Sequence, residues 1–412
     1  MKADVAVLGA GIVGVSVALH LQARGRSVVL FDRRGAGEET SYGNAGLIER
    51  ASVTPYAFPR ELSSMIRYSL NRSAEAHYHV SFLPKVAPWL AQYWWHSSPS
   101  RLALASKAML PLIERSVVEH EALMAEAGIE PLLRKTGWIK AFRSERHFAH
   151  GVEEARKLDS YGIRFDVLDQ GALLAREPHL KDVIIGGIHW LDPATVPDPG
   201  AVAKGYAELF VKRGGRFVHG DARTLSQDGG AWTLKGEDGP LEVRETVLAL
   251  GPWADDVFRP LGYRIPLAVK RGYHMHYRAA GNAVLNHPVL DTDGGFVLAP
   301  MSRGIRLTTG AEFADRDAPP TPVQIERTEP AAREIFPLGA RVDPEPWMGR
   351  RPCLPDMRPV IGPAARHPGL WFAFGHNHHG FTLGPVTGRL LAEMMTGERP
   401  FTDPKPYRAD RF

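Results

Sequence analysis

VAVLGAGIVGVSVALHLQARGRSVVLFD, residues 5–32, is the stretch that decides the fold of this chain. It has the order of an apolar parallel strand, a tight glycine turn, a helix, and a second apolar strand that ends in an acid. Gly9 and Gly11 let the backbone turn sharply and approach a pyrophosphate, and Gly14 lets the helix pack closely on the sheet. This order predicts a unit that binds a nucleotide.

The acid at the end of the second strand favours a dinucleotide. Asp32 lies 21 residues after the second glycine, where a carboxylate accepts hydrogen bonds from both hydroxyls of an adenosine ribose. The same carboxylate would repel a 2'-phosphate, but Arg33 and Arg34 follow directly and weaken that repulsion. Ile12 and Val13 open the helix whose N-terminus faces the phosphates. The alternative is a glycine-rich turn in an ordinary α/β sheet.

Composition indicates one compact protein rather than a string of modules. The 412 residues are 44% hydrophobic and 23% charged, enough to bury a large core in two lobes. The net charge of +4 results from 50 basic and 46 acidic residues, and without a long run of like charge it gives a nucleic-acid role little support. Cys353 is the single cysteine, which excludes an intrachain disulfide and a cysteine-based metal centre.

The sequence predicts a cytoplasmic protein. No segment approaches the ~18 to 20 uninterrupted apolar residues of a membrane span, and the first strand begins at once, leaving no room for a signal peptide. The aromatic segment LPKVAPWLAQYWW, residues 83–95, favours a helix that packs into a lobe. The alternative is peripheral contact of this helix with the inner face of a membrane or with a partner.

The order of predicted elements divides the nucleotide-binding lobe into pieces. A long helix at 101–128, a strand at 137–142 and several strands across 263–312 interrupt it. We therefore expect an α/β protein in two discontinuous domains. The nucleotide-binding domain is predicted at residues 1–80, 188–262 and 331–412, and the substrate-binding domain at residues 81–187 and 263–330.

Four further motifs follow the N-terminal unit in a fixed order: TSYGNAG at 40–46, LALGPWA at 248–254, RRPCLPDMRPVIGP at 350–363, and WFAFGHNHHGFTLGPVTGRLLAEMM at 371–395. With these motifs the chain resembles the D-amino-acid oxidase superfamily of FAD enzymes. The branch it resembles most is the bacterial D-amino-acid dehydrogenases of the D-hydroxyproline type. The resemblance implies a Rossmann-like FAD-binding domain with a discontinuous α+β substrate domain, and FAD as the cofactor.

The motifs also predict which residues contact the flavin. Small residues of TSYGNAG let the chain pass over the cofactor, and the final motif opens the backbone beside the isoalloxazine ring. A helix from about Pro385 to Met395 points its dipole at the flavin N1/O2 locus, and Thr382 adds a hydroxyl donor. The predicted contacts outside the N-terminal unit are Ser41, Asn44, Ala45, Gly46, Gly251, Trp253, Gly375, His376, His379, Gly380 and Thr382.

The position of the one cysteine bears on how the flavin is attached. In the sarcosine-oxidase branch that the chain resembles more distantly, a cysteine several residues before a Pro-Asp pair holds the flavin covalently. Here Cys353 lies only two residues before Pro355 and Asp356, and glycine or arginine occupies the earlier position. We therefore expect non-covalent FAD and a Cys353 that packs as a small thiol.

Arg351 is the predicted ligand of a substrate carboxylate. A guanidinium makes two parallel charge-assisted hydrogen bonds to a carboxylate and so fixes the orientation of the neighbouring carbon. In the dehydrogenases that this segment resembles, the arginine before the Pro-Asp element has that role. Arg303 and Arg306 are alternatives, although Met301 stands where glycine oxidases place their carboxylate arginine.

Three further residues complete the predicted catalytic set. Tyr273 matches a tyrosine that helps to hold the carboxylate, and Tyr56 lies in a loop that can cover the flavin. His378 stands where this branch approaches the substrate amine, and an ordinary pKa near 6.5 in the HNHH run would make activity rise across that range. The run has no neighbouring carboxylate, so we predict no metal site.

The resemblance implies oxidation of a D-amino or D-imino acid by hydride transfer from the α-carbon to flavin N5. The alternatives are a glycine- or sarcosine-type amine oxidase, an FAD-dependent 2-hydroxy-acid dehydrogenase, a nicotinamide dehydrogenase, and a flavin-bearing subunit that docks through residues 83–95. The electron acceptor stays open between a quinone, another carrier and oxygen.

Overall fold

The computed structural model describes the backbone of residues 1–412 and the side chains of all residues except Asp228. Short 3-10 turns connect several of the longer elements. The α-helices are Ile12–Gln22, Leu62–Ser69, Leu83–His96, Pro99–Ala127, Glu145–Lys157, Gln170–Arg176, Pro199–Lys212, Asp255–Phe258, Val323–Ile335 and Gly380–Met395. Within the described residues no helix is both long and apolar enough to cross a membrane.

The first sheet has a parallel centre built on the N-terminal strand. Lys2–Leu8 lies between Val28–Asp32 and Gly239–Leu248 and is parallel to both. Leu8 is paired with Phe31 and with Leu248, so all three strands end at the same edge. The eight strands are Lys2–Leu8, Val28–Asp32, Arg216–His219, Ser226–Asp228, Ala231–Gly236, Gly239–Leu248, Val360–Pro363 and Leu370–Phe374.

Two helices pack against each other beside this sheet through glycines. A Cβ at Gly384 would lie 3.0 Å from a side-chain carbon of Ile12, and one at Gly388 would lie 2.6 Å from the backbone of Ser16. The helices Ile12–Gln22 and Gly380–Met395 can approach this closely only because neither glycine has a side chain.

The second sheet is mixed and is built on the twelve-residue strand Ala268–Ala279. Gly304–Thr308 and Trp347–Cys353 pair with that strand and are antiparallel to it. The eleven strands are Ala76–Tyr78, Trp138–Phe142, Phe165–Asp169, Gly186–Trp190, Ala268–Ala279, Val289–Asp291, Phe296–Met301, Gly304–Thr308, Ala311–Phe313, Leu338–Arg341 and Trp347–Cys353. A separate pair joins Leu47–Ile48 to Ala194–Thr195.

Sheet membership differs from the predicted division of the chain at its last boundary, between residues 330 and 331. Leu338–Arg341 and Trp347–Cys353 belong to the second sheet, although they fall in the segment 331–412 that we assigned to the nucleotide-binding domain. Ala76–Tyr78 also joins the second sheet, through Ala311–Phe313. We propose that the last boundary lies after Cys353, and the other limits stay predictions.

The predicted helices lie where we expected them, but the start of the last helix was predicted wrongly. Pro99–Ala127 ends at Gly128, whose φ of +68° terminates it as expected. The last helix begins at Gly380 rather than at Pro385. Pro385 lacks the N–H that would bond the carbonyl of Phe381, and that carbonyl instead accepts a hydrogen bond from His120 Nε2 at 2.8 Å.

The aromatic segment forms the helix Leu83–His96, as predicted. Trp89 and Tyr93 are buried and pack in one cluster with Cys353 and Met357. Trp94 and Trp95 lie on the outer face and are exposed. One face of this helix therefore belongs to the core, and the prediction of contact with a membrane or partner concerns only the other.

Candidate active site

A cavity of about 950 Å³ lies at the carboxyl edge of the parallel strands and extends to the second sheet. This edge is where open α/β sheets bind their ligands. Most of the residues that we selected from the sequence border it together. These are Gly9, Gly11, Ile12, Val13, Asp32, Arg33, Ser41, Asn44, Ala45, Tyr56, Gly251, Trp253, Tyr273, Arg351, His376, His378, Gly380 and Thr382.

Five predicted cofactor contacts do not border the cavity, namely Gly14, Arg34, Gly46, Gly375 and His379. Gly14 has the packing role expected of it, because a Cβ there would lie 1.8 Å from the carbonyl oxygen of Gly9. Gly46 and Gly375 have φ values of +77° and +78°, which glycine adopts readily. Arg34 pairs with Glu39 at 3.0 Å. For these five, direct contact with the cofactor stays a prediction.

The glycine turn after the first strand has the geometry that a pyrophosphate requires. Gly9 has a φ of +107°, and a Cβ there would lie 2.5 Å from the carbonyl oxygen of Ala249. The N–H of Ala10 donates to Asp32 Oδ2 at 2.6 Å, and that of Arg34 donates to Oδ1 at 3.0 Å. Each carboxylate oxygen keeps a lone pair with which to accept a ribose hydroxyl.

The TSYGNAG segment is held against both lobes by hydrogen bonds. Ser41 Oγ accepts the N–H of Ile12 at 3.0 Å, and Asn44 Oδ1 accepts the N–H of Gly46 at 2.8 Å. Arg306 donates to the carbonyl oxygens of Tyr42 and Asn44 and to a ring nitrogen of His276. Because Arg306 is buried in this role away from the cavity wall, it is a poor alternative to Arg351.

The N-terminus of the last helix opens into the cavity. His379 precedes the helix without a side-chain cap, and Gly380, Phe381 and Thr382 border the cavity. The N–H groups of a first turn have no partner within their helix and carry partial positive charge. The Thr382 hydroxyl donates to the carbonyl of Leu47 at 3.3 Å. It therefore braces the neighbouring strand, and donation of this hydroxyl to the flavin stays a prediction.

The histidines of the GHNHHG loop do not have ordinary pKa values. Burial lowers the pKa of His376 to about 3 and that of His379 to about 4, and it lowers the pKa of His378 well below its usual range. All three pKa values lie below 6.5, and these shifts do not favour a titration of the HNHH run near that pH. His378 lies with its ring centroid 4.6 Å from that of Tyr56 and forms a neutral wall with it.

A group with metal-ligand spacing exists elsewhere, at His77, His79 and Glu312. Its carboxylate is already engaged, because Glu312 pairs with Arg271 at 2.6 Å and accepts the hydroxyl of Tyr273 at 2.8 Å. Both contacts are on Oε2, and Oε1, which lies 3.6 Å from His79 Nε2, accepts the hydroxyl of Thr321. The absence of a metal from this chain stays a prediction.

Arg351 extends its guanidinium into the cavity from the strand Trp347–Cys353. It lies over Gly272, where a Cβ would come within 2.5 Å of Nη2. It donates to the carbonyl oxygens of Gly310 at 2.9 Å and Thr309 at 3.4 Å. Among the described side chains no carboxylate lies within ion-pair distance of it, and three of its five N–H groups are free for a ligand.

The hydrogen bonds of Tyr273 do not support the role that we predicted for it. Its hydroxyl donates to Glu312 and accepts from Arg271 Nη2 at 3.1 Å and from the N–H of Thr321 at 2.8 Å. A phenol has one donor and two acceptor positions, and all are in use. No hydrogen is left for a substrate carboxylate, so Tyr273 positions the sheet that supports Arg351.

Two residues that border the cavity were missed in the sequence. Lys270 lies over the rings of Tyr93, Trp89 and Phe313, with 3.9 Å from its nitrogen to the Tyr93 centroid. Glu49 borders the cavity three residues after TSYGNAG. The available signal in the sequence was an acid that directly follows the apolar pair Leu47 and Ile48, which in turn follow the glycine-rich motif. Its neighbourhood in space, which includes Trp138, was not visible from the sequence.

The residues fit the FAD that the resemblance implies. The glycine turn and Asp32 suit the pyrophosphate and ribose, and the uncapped helix at Gly380 suits the anionic side of the ring. These groups border one cavity and leave N–H donors and carboxylate lone pairs that need ligand partners. An elongated ligand with polar edges would meet these needs along one cavity.

Comparisons with known proteins agree with this geometry. A D-amino acid dehydrogenase of Xylella fastidiosa is 32% identical over 95% of this chain and 91% of its own length. A D-amino-acid oxidase of Bradyrhizobium diazoefficiens is 28% identical over 99% and 98%. The crystal structure of a glycine oxidase from Geobacillus kaustophilus has the same fold, with a TM-score of 0.75 at 22% identity over 100% and 99% of the two chains. The model of the family DAO, FAD dependent oxidoreductase, matches residues 4–394, and the chain therefore belongs to this family of FAD-dependent oxidoreductases.

Proposed function

We propose that this chain oxidises D-amino or D-imino acids to the corresponding imines. The observation that carries the proposal is the guanidinium of Arg351, which lies in the cavity and has no carboxylate partner among the described side chains. An α-carboxylate is the complementary group, since it accepts two parallel N–H donors of an arginine. Support for the D configuration comes from the names of the relatives from Xylella fastidiosa and Bradyrhizobium diazoefficiens.

When bound, FAD would supply the acceptor for the hydride that leaves the α-carbon of the substrate. The chain's own residues supply placement. Arg351 fixes the carboxylate, and with it the direction of the α-hydrogen. Tyr56 and the neutral His378 form a wall beside that position. The first turn of the helix Gly380–Met395 stabilises negative charge that develops at its end of the cavity.

We also propose that FAD is held without a covalent bond. Cys353 is buried and packs with Trp89, Tyr93 and Met357. Burial raises the pKa of its thiol, and a protonated thiol is a poor nucleophile. Release of free FAD by acid precipitation of the purified protein tests this, and flavin that stays with the protein pellet would contradict it.

The experiment for the reaction is anaerobic mixing of the purified protein with single substrates, followed by flavin absorbance near about 450 nm, the usual flavin band. The panel contains D- and L-amino acids, D-proline derivatives, glycine, sarcosine and 2-hydroxy acids. We expect bleaching by D-amino or D-imino acids and not by their L enantiomers. Bleaching only by sarcosine, glycine or 2-hydroxy acids would contradict the proposal. Reoxidation by oxygen or by a soluble quinone then identifies the electron acceptor.

A further inference from the structure

Glu49 enters the cavity at a fixed position. It follows the strand Leu47–Ile48, which pairs with Ala194–Thr195. Its N–H donates to Thr382 Oγ1 at 3.1 Å, which ties the backbone to the first turn of the last helix. Its carboxylate oxygen Oε2 accepts the indole N–H of Trp138 at 3.1 Å. These contacts hold the carboxyl group on the cavity wall.

The cavity therefore holds two charged groups that lack partners of opposite charge. Among the described side chains, no lysine, arginine or histidine lies within ion-pair distance of Glu49, and no carboxylate lies that close to Arg351. Burial raises the pKa of the Tyr56 phenol, and both charged groups lie close enough to act on it as well, since Glu49 raises that pKa further and Arg351 lowers it. A carboxyl group and a guanidinium that both lack an ion-pair partner in one desolvated cavity complement a zwitterion. Each isolated charge is unfavourable there until a ligand group of opposite charge pairs with it.

We propose that Glu49 binds the amino group of the substrate and takes a proton from its ammonium form. This inference rests on the proposed oxidation of amino or imino acids. In the proton step an N–H bond of the ammonium breaks, an O–H bond forms on the Glu49 carboxylate, and the electron pair of the broken bond stays on nitrogen. That lone pair is the one that forms the C=N bond as the hydride leaves the α-carbon.

Burial raises the pKa of Glu49 to about 7, while hydrogen bonds from Ser52 and Trp138 oppose the shift. The nearby charged groups are otherwise engaged. Arg50 donates to the carbonyl of Tyr161 and lies 3.8 Å from Glu114. On the last helix, the pKa of His379 is lowered to about 4, so that residue is neutral. Glu49 is then ionised and able to take a proton above about pH 7, and protonated below it.

The binding test uses two carboxylate ligands that cannot undergo the proposed oxidation. 2-Aminoisobutyrate has the amino group but no α-hydrogen, and isobutyrate lacks the amino group. At pH 8 we expect Glu49→Gln to weaken the binding of 2-aminoisobutyrate by about tenfold or more, because a hydrogen bond to a charged group is lost. Isobutyrate should bind equally well or better. Equal weakening of both ligands, or of neither, would overturn the proposal.

The kinetic test is the pH dependence of anaerobic flavin reduction by a D-amino acid. For the wild type we expect kcat/KM to rise to a plateau through a limb near pH 7. In Glu49→Gln that limb should disappear, and the remaining dependence should follow the substrate's own amine at higher pH. An unchanged limb would overturn the assignment. Glu61→Gln is the matched control, because Glu61 is exposed and does not border the cavity.

A second variant keeps the carboxylate in place. Trp138→Phe removes the N–H that stabilises the ionised form of Glu49, so the limb should move to higher pH, and a limb that stays in place would count against Glu49. Failure of the wild type to be bleached by any amino or imino acid would instead refute the proposed function. Bleaching that is normal in Glu49→Gln at every pH would refute only the role of Glu49.

Discussion

Arg351 shows how a single side chain can be selected among similar ones. Three arginines were candidates for a carboxylate ligand, and the structure gives two of them other partners. Arg303 pairs with Asp343 at 2.5 Å near the surface, and Arg306 holds the TSYGNAG loop. The motif context favoured Arg351, and the surroundings in space now support that choice, because the three side chains have the same chemistry and two of them lie in one strand-turn-strand segment.

We expect Arg351→Met to reduce kcat/KM for D-amino acids by about a hundredfold or more. Two charge-assisted hydrogen bonds are lost, and each contributes about 1.5–3 kcal/mol. Stopped-flow reduction of the bound flavin measures the effect. Arg303→Met, which removes a half-exposed arginine outside the cavity, should stay within about threefold of the wild type. Equal losses in both variants would contradict the assignment.

At the level of elements, two helices define where the cofactor's charged groups are placed. Ile12–Gln22 and Gly380–Met395 both begin at the cavity, and Gly384 and Gly388 set their separation. A helix N-terminus acts over roughly its first turn. Their packing therefore affects cofactor affinity as well as stability.

We expect Gly388→Ala to destabilise the protein by about 1–3 kcal/mol, because the added methyl group would lie 2.6 Å from the Ser16 backbone. Urea unfolding gives the change in free energy, and equilibrium titration of the apoprotein gives the FAD affinity, which should also fall. Gly171→Ala is the matched control. Its methyl group would meet its nearest neighbour at 3.5 Å on an exposed helix, and alanine there should be neutral or slightly stabilising. An unchanged free energy of unfolding in Gly388→Ala would show that Gly388 and the Ser16 backbone are not in close contact.

At the level of the whole molecule, several histidines are buried in the neutral form. Burial lowers the pKa of His120 to about 4, that of His274 to about 2, and that of His376 to about 3. Unfolding would return each pKa to about 6.5. The unfolded chain thus binds more protons than the folded one below pH 6.5, and folding stability must fall as the pH decreases.

We expect the free energy of unfolding to decrease between pH 6.5 and pH 4.5, by at most about 1.4 kcal/mol per pH unit for each such histidine. Urea unfolding at several pH values measures the slope. His376→Asn should make the slope shallower because it removes one group whose pKa changes. A slope that is flat in this range, or that rises toward acid, would contradict neutral burial.

The sequence by itself determined the dinucleotide-binding unit, the family and a set of candidate site residues, most of which border the cavity. These follow from local rules, since Gly9, Gly14 and Asp32 have fixed spacings along one strand-turn-helix-strand unit. Only the tertiary structure decided the role of Tyr273, the depressed pKa values of the histidines and the place of Glu49. Each of these depends on burial and on partners distant in the chain, as Tyr273 does on Glu312 and Glu49 on Trp138. Desolvation and hydrogen bonding between such residues arise only when distant parts of the chain come together in the fold, and no local spacing records them.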